Sequence, residues 1–154
     1  MQNYQADVTD LPQLTEILAD LNPDMVPHFA ARKSVAESVE SPDFYHRQNV
    51  GGTLNLLAAM DRCGCKHIIF SSSATVYGAP EHLPITEEHR LAPFNPYGHS
   101  KLEAEKEIGK WADAAADKSA VLLRYFNPVG ATPLDRLARI QKGGQTIFFL
   151  LSRK

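Results

Sequence analysis

The spacing of apolar and polar positions along the chain predicts helices and strands in alternation. The first stretch is an amphipathic helix, because its apolar residues recur every three or four positions, at Leu11, Leu14, Ile17, Leu18 and Leu21. Thr9-Asp10 supplies a capping side chain ahead of it, and Pro12 suits a first turn. Asn22-Pro23 ends the pattern.

Three short apolar runs predict strands, and two further helices lie between or beside them. The strands are expected at residues 24–30, 66–70 and 120–126. A second helix starts at Ser41-Pro42, and its inner face is expected to include Val50, Leu54, Leu57 and Met60. A third helix runs from about 97 to 116, and the proline-rich residues 78–95 are expected to form a loop.

This alternation predicts an α/β fold with a parallel sheet built from right-handed βαβ units. Pro27 interrupts the first strand, which the pattern places in the interior of the sheet. Since proline cannot donate a ladder hydrogen bond, we expect it to destabilise the fold there.

Composition sets outer limits on function. The chain has 154 residues with 44% hydrophobic and 22% charged positions, as expected for one globular domain. Sixteen basic against eighteen acidic residues give a net charge of −2, which indicates no nucleic-acid partner. The apolar run 147–151 is too short to span a membrane. Residues 1–7 lack the pattern of a signal peptide, so a cytoplasmic location is expected.

Cys63-Gly64-Cys65 contains both cysteines of the chain. Two cysteines this close are unlikely partners for an unstrained disulfide. A metal site would have to recruit His67, and no second pair stands at zinc-like spacing. We therefore expect no metal, and a tight helix-to-strand turn in a reducing compartment.

Candidate chemistry lies in Tyr97 and Lys101. Four residues apart, they share one face of the third helix. A nearby cation lowers the pKa of a phenol, so Tyr97 is predicted to serve as a general base near neutral pH. The spacing alone is common by chance, but Ser71-Ser72-Ser73 follows a predicted strand, where ligands of open α/β sheets bind. Ser73 could hold a substrate oxygen there.

Five linked motifs follow one another along the chain: His28 to Ala31, Asn49 to Leu57, Ser71 to Gly78, Pro96 to Glu103, and Leu123 to Ala131. Over roughly residues 4–131 they resemble the extended short-chain dehydrogenases/reductases, and within them the UDP-glucose 4-epimerases. The dehydratases of that group typically carry acidic residues near the Ser73 position, which this chain lacks.

The resemblance implies an NAD cofactor, a UDP-hexose substrate and interconversion of UDP-glucose and UDP-galactose. By position, Tyr97 is the base, Lys101 lowers its pKa and binds the nicotinamide ribose, and Ser73 binds the sugar O4. Asn127 is implied to contact the sugar nucleotide. The other implied cofactor-site residues are Asp7 and Val8 beside the adenine, and Phe29, Ala30, Ala31, Lys33, Asn49, Ser71, Tyr125 and Phe126.

Several of these residues also have a purely structural interpretation. Phe29, Ala30, Tyr125 and Phe126 could be core residues, and Lys33 and Asn49 could be solvent-exposed. Ser71 and Ser72 could be structural, since only Ser73 fits the catalytic position.

The resemblance also implies a partial Rossmann-like domain that lacks the first βαβ phosphate-binding unit. The first glycine is Gly51, so no glycine-rich phosphate turn lies near the N-terminus. In the family, the two strands of that unit lie between the strand that ends near Asp7 and the strand at 24–30. Their absence is expected to leave a gap within the sheet. We expect a partial NAD-binding domain at 1–131, a divergent tail at 132–154, and no substrate domain.

Three functions remain open at this point. The chain could act as an epimerase, as an inactive fragment that at most dimerises, or as another sugar-nucleotide enzyme of this fold. The resemblance implies a homodimer through helices at 42–62 and 97–116. The choice between hexose and N-acetylhexosamine substrates is expected to lie in the missing substrate domain.

Overall fold

A computed structural model describes residues 3–127, in which helices and strands alternate as predicted. A π-helical turn at Arg47–Gly51 and a 3-10 turn at Ala74–Val76 complete the elements. The helices are α1 (Leu11–Leu21), α2 (Val35–Glu40), α3 (Pro42–His46), α4 (Gly52–Cys63) and α5 (Pro96–Asp113), and the strands are β1 (Val26–His28), β2 (His67–Ser73) and β3 (Ser119–Tyr125).

The three strands form one parallel sheet in the order β1-β2-β3. Strand β2 continues through Ser73, so the prediction that it stops before the serines is wrong. The backbone of the serines pairs with β3, Ser71 opposite Leu123 and Ser73 opposite Tyr125, which extends the strand by three residues. The serine side chains are thereby fixed along the strand's carboxyl end.

The expected gap within the sheet is not formed. Among residues 3–127, β1 is an edge strand, and residues 3–10 are not in a strand. This segment instead buries Ala6 and Val8 in the core. Pro27 therefore lies on an edge strand, where a residue without a backbone N–H is better tolerated than in the interior.

Helix α1 follows its predicted start, apolar face and end. The Asp10 side chain accepts a hydrogen bond from the backbone N–H of Gln13 at 3.0 Å and caps the helix. Leu14 and Leu18 are fully buried. Asn22 closes the helix with a φ of 41°, in the left-handed region that asparagine tolerates.

The helix predicted from Ser41-Pro42 is interrupted by the π-helical turn at Arg47–Gly51. Val50, Leu57 and Met60 are buried as predicted, whereas Leu54, also predicted to face inward, is 44% exposed. Thr53 and Leu56 complete the inward face of α4, and Leu54 lies outside this stripe. Helix α2 was not predicted, because its six residues carry no apolar repeat.

The core is shared by the helices and the sheet. Leu18 of α1, Met60 of α4, Phe70 of β2 and Ile108 of α5 are almost completely buried in one cluster. The turn between α4 and β2 is made by Gly64, with a φ of 76°, between two free thiols, as predicted. None of the helices within the described part of the chain has the length and hydropathy of a membrane-spanning segment.

Candidate functional site at the carboxyl edge of the sheet

Tyr97 and Ser73 meet where the first turn of α5 reaches the end of β2. The Asn95 side chain caps α5 by accepting a hydrogen bond from the N–H of Gly98 at 2.7 Å. The backbone N–H of Tyr97 donates to Ser38 Oγ at 3.2 Å, which fixes this turn against α2. The Ser73 hydroxyl lies close enough to the Tyr97 phenol to lower its pKa. The two residues predicted from separate motifs are therefore in contact.

Lys101 lies one turn further along α5 and is almost completely buried. Its Nζ donates to the backbone carbonyl of Ser71 at 2.8 Å and lies 4.7 Å from the centre of the Phe70 ring. Ser71 thus enters the site through its carbonyl oxygen. The structure brings together Tyr97, Lys101, Ser71 and Ser73, as the motifs predicted.

The predicted direction of the Tyr97 pKa is wrong for this structure. Burial raises the pKa of the phenol, and the Ser73 hydrogen bond only partly opposes that shift. Lys101 does not produce the expected lowering, and burial reduces the pKa of its own ammonium to about 8. Desolvation thus outweighs the charge–charge effect assumed from the spacing, and Tyr97 holds its proton at neutral pH.

Ser72 leads to a buried charge pair that the sequence reasoning missed. Its hydroxyl donates to the carboxylate of Glu105, one turn beyond Lys101 on α5. Arg124 of β3 donates two hydrogen bonds to the same carboxylate, from Nε at 3.0 Å and from Nη2 at 2.8 Å. The four-residue step from Lys101 to Glu105 was a usable signal, since it continues the Tyr97–Lys101 face.

Arg124 also ties this pair to the loop at 78–95. Its Nη1 donates to the Tyr77 hydroxyl at 3.1 Å and to the carbonyl oxygen of Glu87 at 3.3 Å. The guanidinium carbon lies 5.0 Å from the centre of the Tyr77 ring. One arginine thereby connects β3, α5 and the loop.

Asn49 is buried rather than solvent-exposed, and its amide clamps a backbone segment. Its Oδ1 accepts from the N–H of Arg32 at 2.7 Å, and its Nδ2 donates to the Arg32 carbonyl at 3.0 Å. Nδ2 also donates to Ser100 Oγ at 2.9 Å. Asn49 therefore holds the segment after β1 against α5, between Tyr97 and Lys101.

Aromatic side chains stand exposed at the carboxyl ends of the outer strands. Phe29 follows β1 and is 59% exposed, while Phe126 follows β3 and is 58% exposed. Tyr125 is half exposed, and Phe126 stacks on Tyr77 with ring centres 6.4 Å apart. The core interpretation of these three aromatic residues is therefore wrong. Asn127 is also exposed at this end of the chain.

The remaining residues of the β1 motif differ in their exposure. Ala30 and Ala31 are half-buried, and Ala30 packs against the core. Lys33 is exposed to solvent. The backbone of Ala30 and Ala31 directly precedes Arg32, whose N–H and carbonyl are hydrogen-bonded to the Asn49 amide.

Asp7 and Val8 lie beside α4. Val8 is fully buried, and the Asp7 carboxylate accepts hydrogen bonds from the N–H and the hydroxyl of Thr9 at 2.8 Å and 2.7 Å. These bonds, with a weaker contribution from Arg32, hold the pKa of Asp7 below its usual value. Asp7 is thus a fixed, exposed carboxylate.

His28 is a second buried polar group near this edge. Its Nε2 lies 3.0 Å from Thr53 Oγ1, which itself donates to the Asn49 carbonyl, so His28 Nε2 is the donor. Burial and the charge of Lys101 lower the pKa of His28 to about 3. The imidazole is therefore neutral at physiological pH.

The site as a whole combines a phenol, a hydroxyl and a cation at one strand end. A substrate hydroxyl placed at Ser73 would lie within reach of the Tyr97 oxygen. Proton exchange between a bound alcohol and the phenol is the chemistry that this arrangement supports.

Comparison with known proteins identifies relatives over most of the chain. The sequence profile of the NAD dependent epimerase/dehydratase family matches residues 2–143. UDP-glucose 4-epimerase 2 of Arabidopsis thaliana is 46% identical over 130 residues, which is 84% of this chain and 37% of that protein. UDP-glucose 4-epimerase of Bacillus subtilis is 44% identical over 140 residues, covering 91% and 41%.

Solved structures agree with the sequence relatives. UDP-glucose 4-epimerase from Bifidobacterium longum, in complex with NAD⁺ and UDP, is 48% identical with a TM-score of 0.79 over 84% of this chain and 39% of that one. UDP-glucose 4-epimerase from Brucella ovis, in complex with NAD, is 44% identical with a TM-score of 0.79. The match again covers 84% of this chain and 39% of that one.

The chain spans about two fifths of the length of the curated relatives it matches. The family match runs past residue 131, where the resemblance was predicted to end. The predicted tail at 132–154, and residues 128–131 of the last motif, lie outside the described residues. The boundary at 131 stays a prediction.

Proposed function

Because the chain belongs to the NAD dependent epimerase/dehydratase family, we propose that it is part of an enzyme that interconverts UDP-glucose and UDP-galactose. One observation carries this proposal. The Tyr97 phenol lies beside the Ser73 hydroxyl at the end of β2, and Lys101 lies one turn further along the same helix. This is the arrangement needed to move a proton on a sugar hydroxyl.

The residues at the carboxyl edge fit a dinucleotide cofactor. Exposed aromatic rings at Phe29 and Phe126 offer flat apolar surfaces. Among the described residues, Lys101 Nζ donates one hydrogen bond, to Ser71, and its other N–H groups suit a ribose hydroxyl. The Asp7 carboxylate and the backbone held by Asn49 supply polar groups further along the edge.

A bound oxidised nicotinamide would supply a hydride acceptor and donor for the sugar carbon, and its positive ring would favour a phenolate at Tyr97. Tyr97 accepts the proton of the sugar 4-hydroxyl and gives it back. Ser73 hydrogen-bonds the same oxygen and keeps it beside the phenol. Lys101 supplies positive charge and orients the ribose, and Asn127 contacts the sugar nucleotide.

The test is a chimera in which residues 3–127 replace the matching segment of the Bacillus subtilis enzyme. Conversion of UDP-galactose to UDP-glucose, followed through UDP-glucose dehydrogenase and NADH absorbance, is the expected result. Tyr97→Phe should lower kcat by about 10²- to 10⁴-fold, because the proton acceptor is lost. Glu16→Gln, at an exposed position of α1 outside the site and the proposed dimer segments, is the control.

A chimera that folds and binds NAD but converts no substrate contradicts the proposal. So does a Tyr97→Phe chimera that is as active as its parent. Cofactor binding, measured by calorimetry, separates a damaged cofactor site from a wrong assignment of the base.

We also propose a homodimer through the segments 42–62 and 97–116. Its support is the exposed Leu54 on α4 and the adjacent α3–α5 surface, where His46 and Glu103 pair at 3.1 Å. Sedimentation equilibrium should show association of the chain that Leu54→Glu weakens at least about tenfold. Val121→Glu, on β3, is the control. A monomeric wild type, or equal effects of both changes, contradicts the dimer.

A further inference from the structure

Three successive turns of α5 make contact with three successive serines of β2. Tyr97 lies beside the Ser73 side chain, Lys101 donates to the Ser71 carbonyl and Glu105 accepts from the Ser72 hydroxyl. The proposed function uses the first two contacts and leaves the third without a role.

Glu105 is a buried charge held in a fixed place. Only 4% of the residue is exposed, and Arg124 and Ser72 together occupy both carboxylate oxygens. A buried carboxylate is costly to desolvate, and one paired with arginine is often no more stabilising than an apolar substitute. Stability alone is therefore a weak reason for a carboxylate at this position.

Glu105 lies one helical turn from Lys101, on the side away from Tyr97. Both side chains are almost completely removed from solvent, so their charges interact with little screening. The negative charge of Glu105 favours the protonated form of Lys101 and opposes the desolvation of its ammonium.

We propose that Glu105 is a positioning residue, which holds the Lys101 ammonium charged and in place beside Tyr97, with Arg124 and Ser72 fixing its carboxylate. The role attached to Lys101 rests on the proposed function, but the coupling between Glu105 and Lys101 does not.

The other charged groups around this pair define what the test must separate. His28 on β1 is close enough to Lys101 for their charges to interact. Arg124 on β3 faces Glu105, and Tyr97 lies on the opposite side of Lys101 on α5. Because His28 is neutral above about pH 3 and Tyr97 keeps its proton, Glu105 is the anion that Lys101 senses near neutral pH.

The experiment is a titration of Lys101 by NMR in the full chain, without cofactor, using lysine labelled with ¹³C at Cε. The Lys101 signal is assigned by its loss in Lys101→Arg. The wild type should titrate near pH 8. Glu105→Gln should lower the proton affinity of Lys101 by roughly threefold to tenfold, since the charge is removed and the shape is kept.

Two variants separate charge from structure. Glu105→Asp keeps the carboxylate and should keep the proton affinity of Lys101 within about twofold of the wild-type value. Glu103→Gln makes the same chemical change at an exposed position two residues away and should leave Lys101 unchanged. A folded Glu105→Gln chain with a wild-type Lys101 midpoint overturns the proposal.

Glu105→Gln leaves the Arg124 charge unpaired and could fail to fold. The double variant Glu105→Gln/Arg124→Gln removes both charges and leaves two amides able to bond each other. Because loss of the Arg124 charge acts on Lys101 in the opposite direction, this variant should show a smaller fall in the Lys101 proton affinity, about twofold or more, and an unchanged value there also overturns the proposal. Inactivity of the chimera with this coupling intact would contradict the proposed function alone.

Discussion

Two adjacent glycines, Gly51 and Gly52, should respond in opposite ways to the same substitution. Both have helical backbone angles, at the junction of the π-helical turn and α4. A Cβ at Gly51 meets no atom within 4 Å, whereas one at Gly52 would lie 2.5 Å from Val8 Cγ1 and 3.0 Å from Val8 Cγ2. Comparing alanine at the two positions tests whether the segment that carries Asp7 and Val8 packs against α4 as in the structure.

The magnitude follows from two opposing effects. Alanine in place of glycine inside a helix stabilises by about 1 kcal/mol, and both variants receive that gain. At Gly52 the added methyl must displace a fully buried valine, whose branched side chain has few alternative rotamers. Overpacking of this kind costs about 1–3 kcal/mol. Gly51→Ala should therefore be more stable than Gly52→Ala by about 1–3 kcal/mol.

Urea unfolding, followed by fluorescence of the single tryptophan, Trp111, measures both variants against wild type. Repeating Gly52→Ala in a Val8→Ala chain completes a double-mutant cycle, and the cost of the methyl should largely disappear there. Equal stability of the two alanine variants would refute the packing of Val8 on α4. So would a cost at Gly52 that is the same with and without Val8.

Three further predictions concern titration and capping. Without cofactor, the tyrosinate absorbance of Tyr97, measured as wild type minus Tyr97→Phe, should develop only above pH 10, because burial raises the pKa of this phenol. A step in that difference below pH 10 would contradict the burial argument. The free energy of unfolding should fall as the pH drops from 6.5 towards about 3, since the unfolded chain gains a proton on His28 that the folded chain excludes. His28→Leu should flatten this slope, and the exposed His99, changed to leucine, should not. Asp10→Ala should lower the free energy of unfolding by about 1 kcal/mol through loss of the α1 cap, and an unchanged urea midpoint would show that the cap contributes nothing.

Local patterns in the sequence were enough to predict much of the fold and part of the site. The helix period places Tyr97 and Lys101 on one face of the third helix. The apolar stripe and the capping residue of α1, and the turn at Gly64, were likewise readable, because each depends on neighbours within a few positions. The family motifs added the expectation that Ser73 and Tyr97 act on the same sugar oxygen, and the structure places the two side chains next to each other.

Features that depend on distant partners were decided only by the tertiary structure. The Glu105–Arg124 pair joins residues on different elements, and Asn49 clamps a backbone segment 17 positions away. No local pattern indicated the π-helical turn or the exposure of Leu54. The direction of the Tyr97 pKa was misjudged for the same reason. A nearby charge can be inferred from spacing along a helix, but desolvation depends on everything that packs around the phenol, and that is known only once the chain is folded.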